Sequence, residues 1–336
     1  MPLQDALGCI LAHRISVPGH VFPKGTVLDA AALRRLNDAG HRHVTAARLA
    51  PHEIPENDAA RRLSQALMAP TGTQGVLAGQ AITGRVYLTA AHAGLFRADR
   101  SRIDALNALH EGITLATLAD ATPVTIRDIV ATIKIIPFAV PARALAEAEA
   151  LSRAAPALRV AHFRPLRTGL VMTELPGMKH SLLSKTLRAT KDRIERLGGT
   201  LLPPLRVAHA TGPVAAAIAS LLPDADLLLI AGASAVMDRQ DVGPSAIVAA
   251  GGTIAHFGMP VDPGNLICLG RVGPRPALVL PGCARSPALN GIDFLLQRIF
   301  AGEPAGAEEI TRMGVGGLLK DFAGRPMPRP SMVAPA

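Results

Sequence analysis

The chain has no tryptophan, a single tyrosine (Tyr87) and eight phenylalanines among 336 residues. Any core must therefore be built from Leu, Val, Ile and Ala. At 49% hydrophobic residues the chain has enough apolar surface to exclude a disordered polymer. The shortage of aromatics also leaves few platforms on which bases could stack. Basic residues are scattered, with no run longer than Arg34-Arg35 or Arg61-Arg62. The formal charge of +9 thus predicts no nucleic-acid partner. A dispersed positive field suits the steering of a small anion instead.

Cysteine is scarce as well. Cys9, Cys268 and Cys283 form an odd set without CxxC spacing, which argues against a disulfide framework or a zinc site and fits a reducing cytoplasm. The opening MPLQDALGCILAH carries Asp5 and has no basic stretch leading into an apolar core, so no signal peptide is expected. Between Val242 and Val261 there is no Asp, Glu, Lys or Arg. Gly243, Pro244, Gly251, Gly252, Gly258 and Pro260 interrupt that stretch, which predicts a buried helix and strand and no membrane span.

The length accommodates two or three domains. Residues 1–50 read as a small α/β unit, with a helix capped by Asp29, an apolar face of Leu33 and Leu36, a stop at Gly40 and a short strand near Val44. Residues 51–155 read as α+β. Their elements are a helix from an Asn57 cap to about Met68, the strand GRVYL, a helix over 101–109, a strand VATIKIIPFAV and a helix over 141–154. Residues 156–320 alternate strands at 168–173, 200–207, 226–232 and 253–259 with helices at 181–196, 213–222, 244–250 and 288–300. A hairpin, LICLGRVGPRPALVL, turns at Gly273-Pro274. Such alternation predicts βαβ units and a mostly parallel sheet with one antiparallel pair. Residues 321–336 read as a flexible tail.

Three strand ends fall close together in LLLIAGASAVMDRQDVGPSAI, AHFGMPVDPGN and LVLPGCARSP. In an open α/β sheet, ligands bind where strands give way to loops at their carboxyl ends. These loops offer Ser234, Asp238, Arg239, Asp241, Asp262, Asn265, Cys283, Arg285 and Ser286, a set suited to a polar, phosphate-bearing ligand and a divalent cation. Gly232-Ala233 would bring backbone N–H groups close to a ligand, or simply form a tight turn. Asp238 and Asp241 could hold Mg²⁺ or cap the next helix. Arg239 could fork onto a phosphate or pair with an aspartate. In the Pro-Gly turn, Asp262 and Asn265 could be ligands or turn formers. Arg285 and Ser286 would meet an anion at the start of the helix over 288–300. No His–Asp arrangement accompanies Cys283, so a nucleophilic role is not expected. His41 and His43 lack a third metal ligand, and His256 reads as a core histidine.

These three segments and a fourth, VMTELPG, resemble the molybdopterin-binding domain family, across roughly residues 166–301. VMTELPG (Thr173, Glu174) stands where the family's first strand ends in a Thr-acidic turn. DLLLIAGASAVMDRQDVGPSAI matches its Gly-rich motif with a trailing acidic segment, MPVDPGN (Asp262, Gly264, Asn265) its Pro-Gly turn, and LPGCARSP (Gly282, Arg285, Ser286) its last loop. The first 50 residues resemble a segment of the family's molybdate-inserting transferase. The resemblance implies a three-layer α/β/α domain in a cytoplasmic protein that binds molybdopterin, free or adenylylated. It implies that Asp238 and Asp241 act with Mg²⁺ and molybdate, and that Thr173, Glu174, Gly232, Ala233, Ser234, Arg239, Asp262, Gly264, Asn265, Gly282, Arg285 and Ser286 hold the pterin phosphate. It further implies partners among other cofactor-biosynthesis proteins or molybdoenzymes, and a homo-oligomer. The chain departs from the family where Gly-Gly becomes Gly232-Ala233, the two motif lysines become Asp262 and Asn265, and the motif Asn becomes Cys283. Those departures favour a non-catalytic cofactor carrier as the alternative.

Overall fold

The computed structural model describes residues 1–319, so the segment 321–336 read as a tail lies outside the described residues. The chain divides into two compact units, one from Met1 to His162 and one beginning at Phe163.

The first unit is mixed α/β and carries two cores. Leu3, Leu11, Phe22, Leu28, Leu36 and Val44 form a small one near the start. Its helix Ala30–Asp38 is capped as expected: Asp29 accepts a hydrogen bond from Ala32 N–H at 2.7 Å. The short strand expected near Val44 forms slightly later, at Ala46–Ala47. The larger core gathers Leu63, Leu67, Val86, Leu88, Ile133 and Leu145 between helices and two antiparallel sheets. Strand Arg85–Ala90 shows the alternation that builds it, with Val86, Leu88 and Ala90 buried and Arg85 and Tyr87 outward.

Several local expectations change here. Asn57 is no cap: the helix Glu56–Met68 starts one residue earlier, and Asn57 Oδ1 accepts from Gly84 N–H instead. The long strand expected over 130–140 is two, Ile129–Ile135 and Ala139–Pro141, because Pro137 interrupts the ladder between them. Residues 156–162 contain the strand Leu158–His162, which pairs antiparallel with Gly94–Ala98 and so lies within the first unit.

In the second unit the elements are β1 (Arg167–Glu174), α1 (His180–Arg196), β2 (Thr200–Leu201), β3 (Leu205–Ala208), α2 (Thr211–Leu221), β4 (Leu227–Ala231), α3 (Val242–Ala249), β5 (Thr253–Phe257), β6 (Cys268–Val272), β7 (Arg275–Leu280) and α4 (Gly291–Ala301). The expected strand 200–207 is split by Pro203-Pro204 into β2 and β3, and both halves still pair with β1. The sheet runs β2/β3–β1–β4–β7–β6–β5. It is parallel from β3 through β1 and β4 to β7, and antiparallel from β7 to β5. The hairpin β6–β7 turns at Gly273-Pro274 as the sequence predicts.

Every residue of β4 is buried, as are the six interior residues of β1, which is how parallel strands covered on both faces read. His256 departs from its reading: it lies half-buried on edge strand β5 and not in the core. From β1 the chain crosses one way to β3 and then the other way to β4. That reversal is a topological switch point, and it opens a crevice at the carboxyl ends of β1 and β4. Among the described residues no helix is long and apolar enough to cross a membrane.

Candidate functional site

The crevice is closed over by the loop after β4. Thr173, the penultimate residue of β1, is 1% exposed. Its Oγ1 accepts a hydrogen bond from Ala233 N–H at 2.7 Å and lies 2.8 Å from His209 Nδ1. One hydroxyl thus ties together the loops after β1, β3 and β4. Behind it is a pit of about 30 Å³ lined by Thr173, His209, Gly232, Ser234 and Asp241 together with apolar side chains. Glu174 adds its backbone carbonyl, which accepts from His209 N–H.

The two acidic residues serve their own loop. Asp241 occupies the N-cap position of α3 but makes no side-chain cap bond. Its Oδ2 turns back to accept the N–H groups of Met237 and Asp238. Those two donors, with His209 nearby, hold its carboxyl below the usual carboxylate range. Asp238 Oδ1 accepts Gln240 N–H in the same way. Arg239 pairs with neither; its guanidinium points at Ile254 O on β5, 3.4 Å away.

A larger cleft, about 570 Å³, lies beside this pit, between α1 and the loop after β7. Gly282, Cys283, Arg285, Ser286 and Pro287 line one wall, and Lys185, Arg188, Ala189 and Asp192 the other. Arg285 Nη2 donates to Gly232 O at 2.8 Å, so the loop after β7 is bonded to the loop after β4. The wall is held from behind by Arg193, 5% exposed, which donates to the carbonyls of Ala284, Ser286 and Ala288 and pairs with Asp293 at 2.8 Å. Burial pushes the Cys283 thiol up, away from the thiolate a nucleophile needs.

The start of α4 differs from expectation in a way that matters to an anion. The helix begins at Gly291 and not at 288, after a 3-10 turn Gly282–Arg285. Asn290 and Asp293 form a capping box, and Gly291 N–H donates to Pro263 O at 2.9 Å. Its N–H groups are therefore largely spent within the protein, and positive charge in the cleft comes from side chains.

The Pro-Gly turn serves to pack this helix start. Gly264 has φ +141°, and a Cβ there would sit 2.6 Å from Gly291 N, so only glycine fits. Asp262 bonds through its backbone to Gly317 and Leu319, and Asn265 through its carbonyl to Met259. The structure thus brings Thr173, Gly232, Ser234 and Asp241 to the pit and Gly282, Arg285 and Ser286 to the cleft. Glu174, Ala233, Asp238, Arg239, Asp262, Gly264 and Asn265 line neither.

Sequence reasoning missed His209, Lys185, Arg188 and Arg193. His209 follows a strand and precedes a helix in RVAHATGP, the same signal that marked the other loops. Lys185, Arg188 and Asp192 recur at i, i+3 and i+7, which places them on one helix face.

Residues 1–48 match the model of a domain of unknown function (DUF8806). No curated protein matches the chain. Among solved structures, a molybdopterin biosynthesis moeA protein from Pyrococcus horikosii is similar over 91% of this chain and 73% of that one, at 12% identity and a TM-score of 0.28. A molybdenum cofactor biosynthesis protein B is similar over 40% of this chain and 87% of that one, at 14% identity and a TM-score of 0.28. A molybdenum cofactor biosynthesis protein from Pyrococcus furiosus is similar over 90% and 64%, at 14% identity and a TM-score of 0.25.

Proposed function

We propose that the chain binds molybdopterin, free or adenylylated, and acts in molybdenum cofactor biosynthesis as a molybdate-inserting transferase. The reading includes a three-layer α/β/α arrangement of the second unit. What supports it most is one juxtaposition: residues from three of the four resembling motifs meet at the carboxyl ends of β1, β4 and β7, and Arg285 joins two of those loops through Gly232. In this reading Thr173 fixes the loop after β4 and Ser234 and the loop backbone contact the ligand. Arg285 and Ser286 face its anionic part.

The fit of Mg²⁺ follows from the carboxylates. Among the described residues no group of three or more His, Cys, Asp or Glu side chains is placed to hold a metal. Asp238 and Asp241 each commit one oxygen to the loop backbone and keep the other. Mg²⁺ commonly takes one or two carboxylates, several waters and a substrate phosphate. The pair fits that mode, in which the ion is shared with the ligand and binds weakly without it. When bound, Mg²⁺ would supply charge neutralisation at the phosphate; Asp241, which lines the pit, and Asp238 in the adjoining loop would hold it.

A second reading, a carrier that binds and hands over the cofactor without turnover, is favoured by the same engagement of both carboxylates. Equilibrium titration with molybdopterin tests both readings at once, since both require binding. Consumption of adenylylated molybdopterin that depends on molybdate and Mg²⁺ belongs to the transferase alone. Binding without consumption selects the carrier, and no binding of either form removes both.

A further inference from the structure

Lys185 and Arg188 stand apart from Lys191, Arg193 and Arg196, the basic residues further along the same helix. They sit one turn apart on α1 and face the loop Gly282–Arg285 across the 570 Å³ cleft. Neither forms an ion pair or side-chain hydrogen bond among the described residues, whereas Arg193 and Arg196 on the same helix are both engaged. A solvated helix face would explain two exposed cations. It does not explain why they look onto a third, Arg285, whose fork has only one N–H committed, to Gly232. The volume lies within the range of clefts that take small organic ligands and exceeds what a lone phosphate needs.

We infer that this cleft is a diphosphate subsite, with Lys185, Arg188 and Arg285 as its three cations and Asp192 as a built-in opposing charge. Arg285 can meet phosphoryl oxygens with a fork, and Lys185 with a mobile point charge. Asp192 lines the cleft one turn beyond Arg188 and disfavours any anion there. Its presence sets a threshold: a singly charged anion gains little, while a diphosphate contacts all three cations at once. The inference depends on the reading above only for the rest of the ligand. The subsite itself is defined by charge and space.

The experiment is calorimetric titration of the full chain with inorganic pyrophosphate and inorganic phosphate at matched ionic strength. Wild type should bind pyrophosphate more tightly than phosphate. Lys185→Gln and Arg188→Gln should each weaken pyrophosphate binding roughly tenfold, the usual size of a lost charged hydrogen bond. Asp192→Asn should strengthen it roughly threefold by removing a repulsion across solvent. A gain of affinity cannot come from misfolding, so this variant guards the test. Unchanged affinity in both cation variants, or no gain in Asp192→Asn, overturns the subsite. Molybdopterin supplies the separating arm. If adenylylated molybdopterin binds wild type while pyrophosphate affinity is unchanged in the cation variants, the subsite fails and the pterin reading stands. If pyrophosphate behaves as described while no pterin binds, the subsite stands and the pterin reading fails.

Discussion

Replacing Thr173 with valine should test the junction on which the site depends. Valine keeps the shape and removes the hydroxyl, so Ala233 N–H and His209 Nδ1 both lose their partner. A buried donor or acceptor left unpaired costs about 1–3 kcal/mol. Two such groups could reach twice that, but Thr173 and His209 border the pit of about 30 Å³, which has room for a water beside the substituted side chain. One water needs only about 10–15 Å³ and can replace part of the loss, which brings the total to about 2 kcal/mol. Thr173→Ser keeps the hydroxyl and gives up one methyl, for about 1 kcal/mol.

Urea unfolding of the full chain followed by far-ultraviolet circular dichroism reads the difference. With a slope of about 1–3 kcal/mol per molar, Thr173→Val should lower the midpoint of the second unit's transition by about 1 M, and Thr173→Ser by roughly half as much. Tyr87, the only tyrosine, lies in the first unit and reports that unit separately by its emission. Hydrogen exchange at Ala233 should quicken in the valine variant and not in the serine variant. Equal effects of the two substitutions, or unchanged exchange at Ala233, would refute the tie.

Asp241→Asn should weaken Mg²⁺-dependent ligand binding more than Asp238→Asn, because Asp241 organises two backbone N–H groups and Asp238 one; titration with molybdopterin and Mg²⁺ checks the order. Cys283→Ser should bind the ligand as wild type does, whereas Cys283→Asp should pair with the facing cations and lose more than about tenfold in affinity, ~1.4 kcal/mol. In the first unit, Arg62 donates two hydrogen bonds to Glu149, at 2.8 and 3.0 Å, which holds that carboxyl below its usual range. A depressed carboxylate stabilises the fold above its unfolded value, about 4.3, and that contribution is lost as pH falls through the lower folded value. Glu149→Gln should therefore cost about 1–2 kcal/mol at neutral pH, discounted for Arg62's partial exposure, and flatten the acid limb of stability below about pH 4, both read from Tyr87 emission.

The alternation of the second unit was legible because its strands end in Gly or Pro and its helices are spaced between them. The Gly273-Pro274 turn and the Asp29 cap were legible for the same reason, since each rests on local backbone chemistry. What escaped depends on partners distant in sequence. Asn57 reads as a cap until Gly84 arrives to bond it. The start of α4 falls at Gly291, where the capping box of Asn290 and Asp293 is joined by the carbonyl of Pro263 from the distant Pro-Gly turn. Lys185 and Arg188 are ordinary surface residues in one dimension and become a site only when the Gly282–Arg285 turn folds against α1. Arg193 reads as another surface charge, yet it is buried by five hydrogen bonds to groups on its own helix, on the loop after β7 and on α4.

The most direct measurement is the hydrogen-exchange footprint of molybdopterin on the full chain. Binding at the switch point should slow exchange in the segments around Thr173, Gly232 to Asp241 and Gly282 to Ser286, and leave the first unit's sheets unchanged. Protection confined to the first unit, or absent from all three loops at saturating ligand, would contradict the assignment of the site.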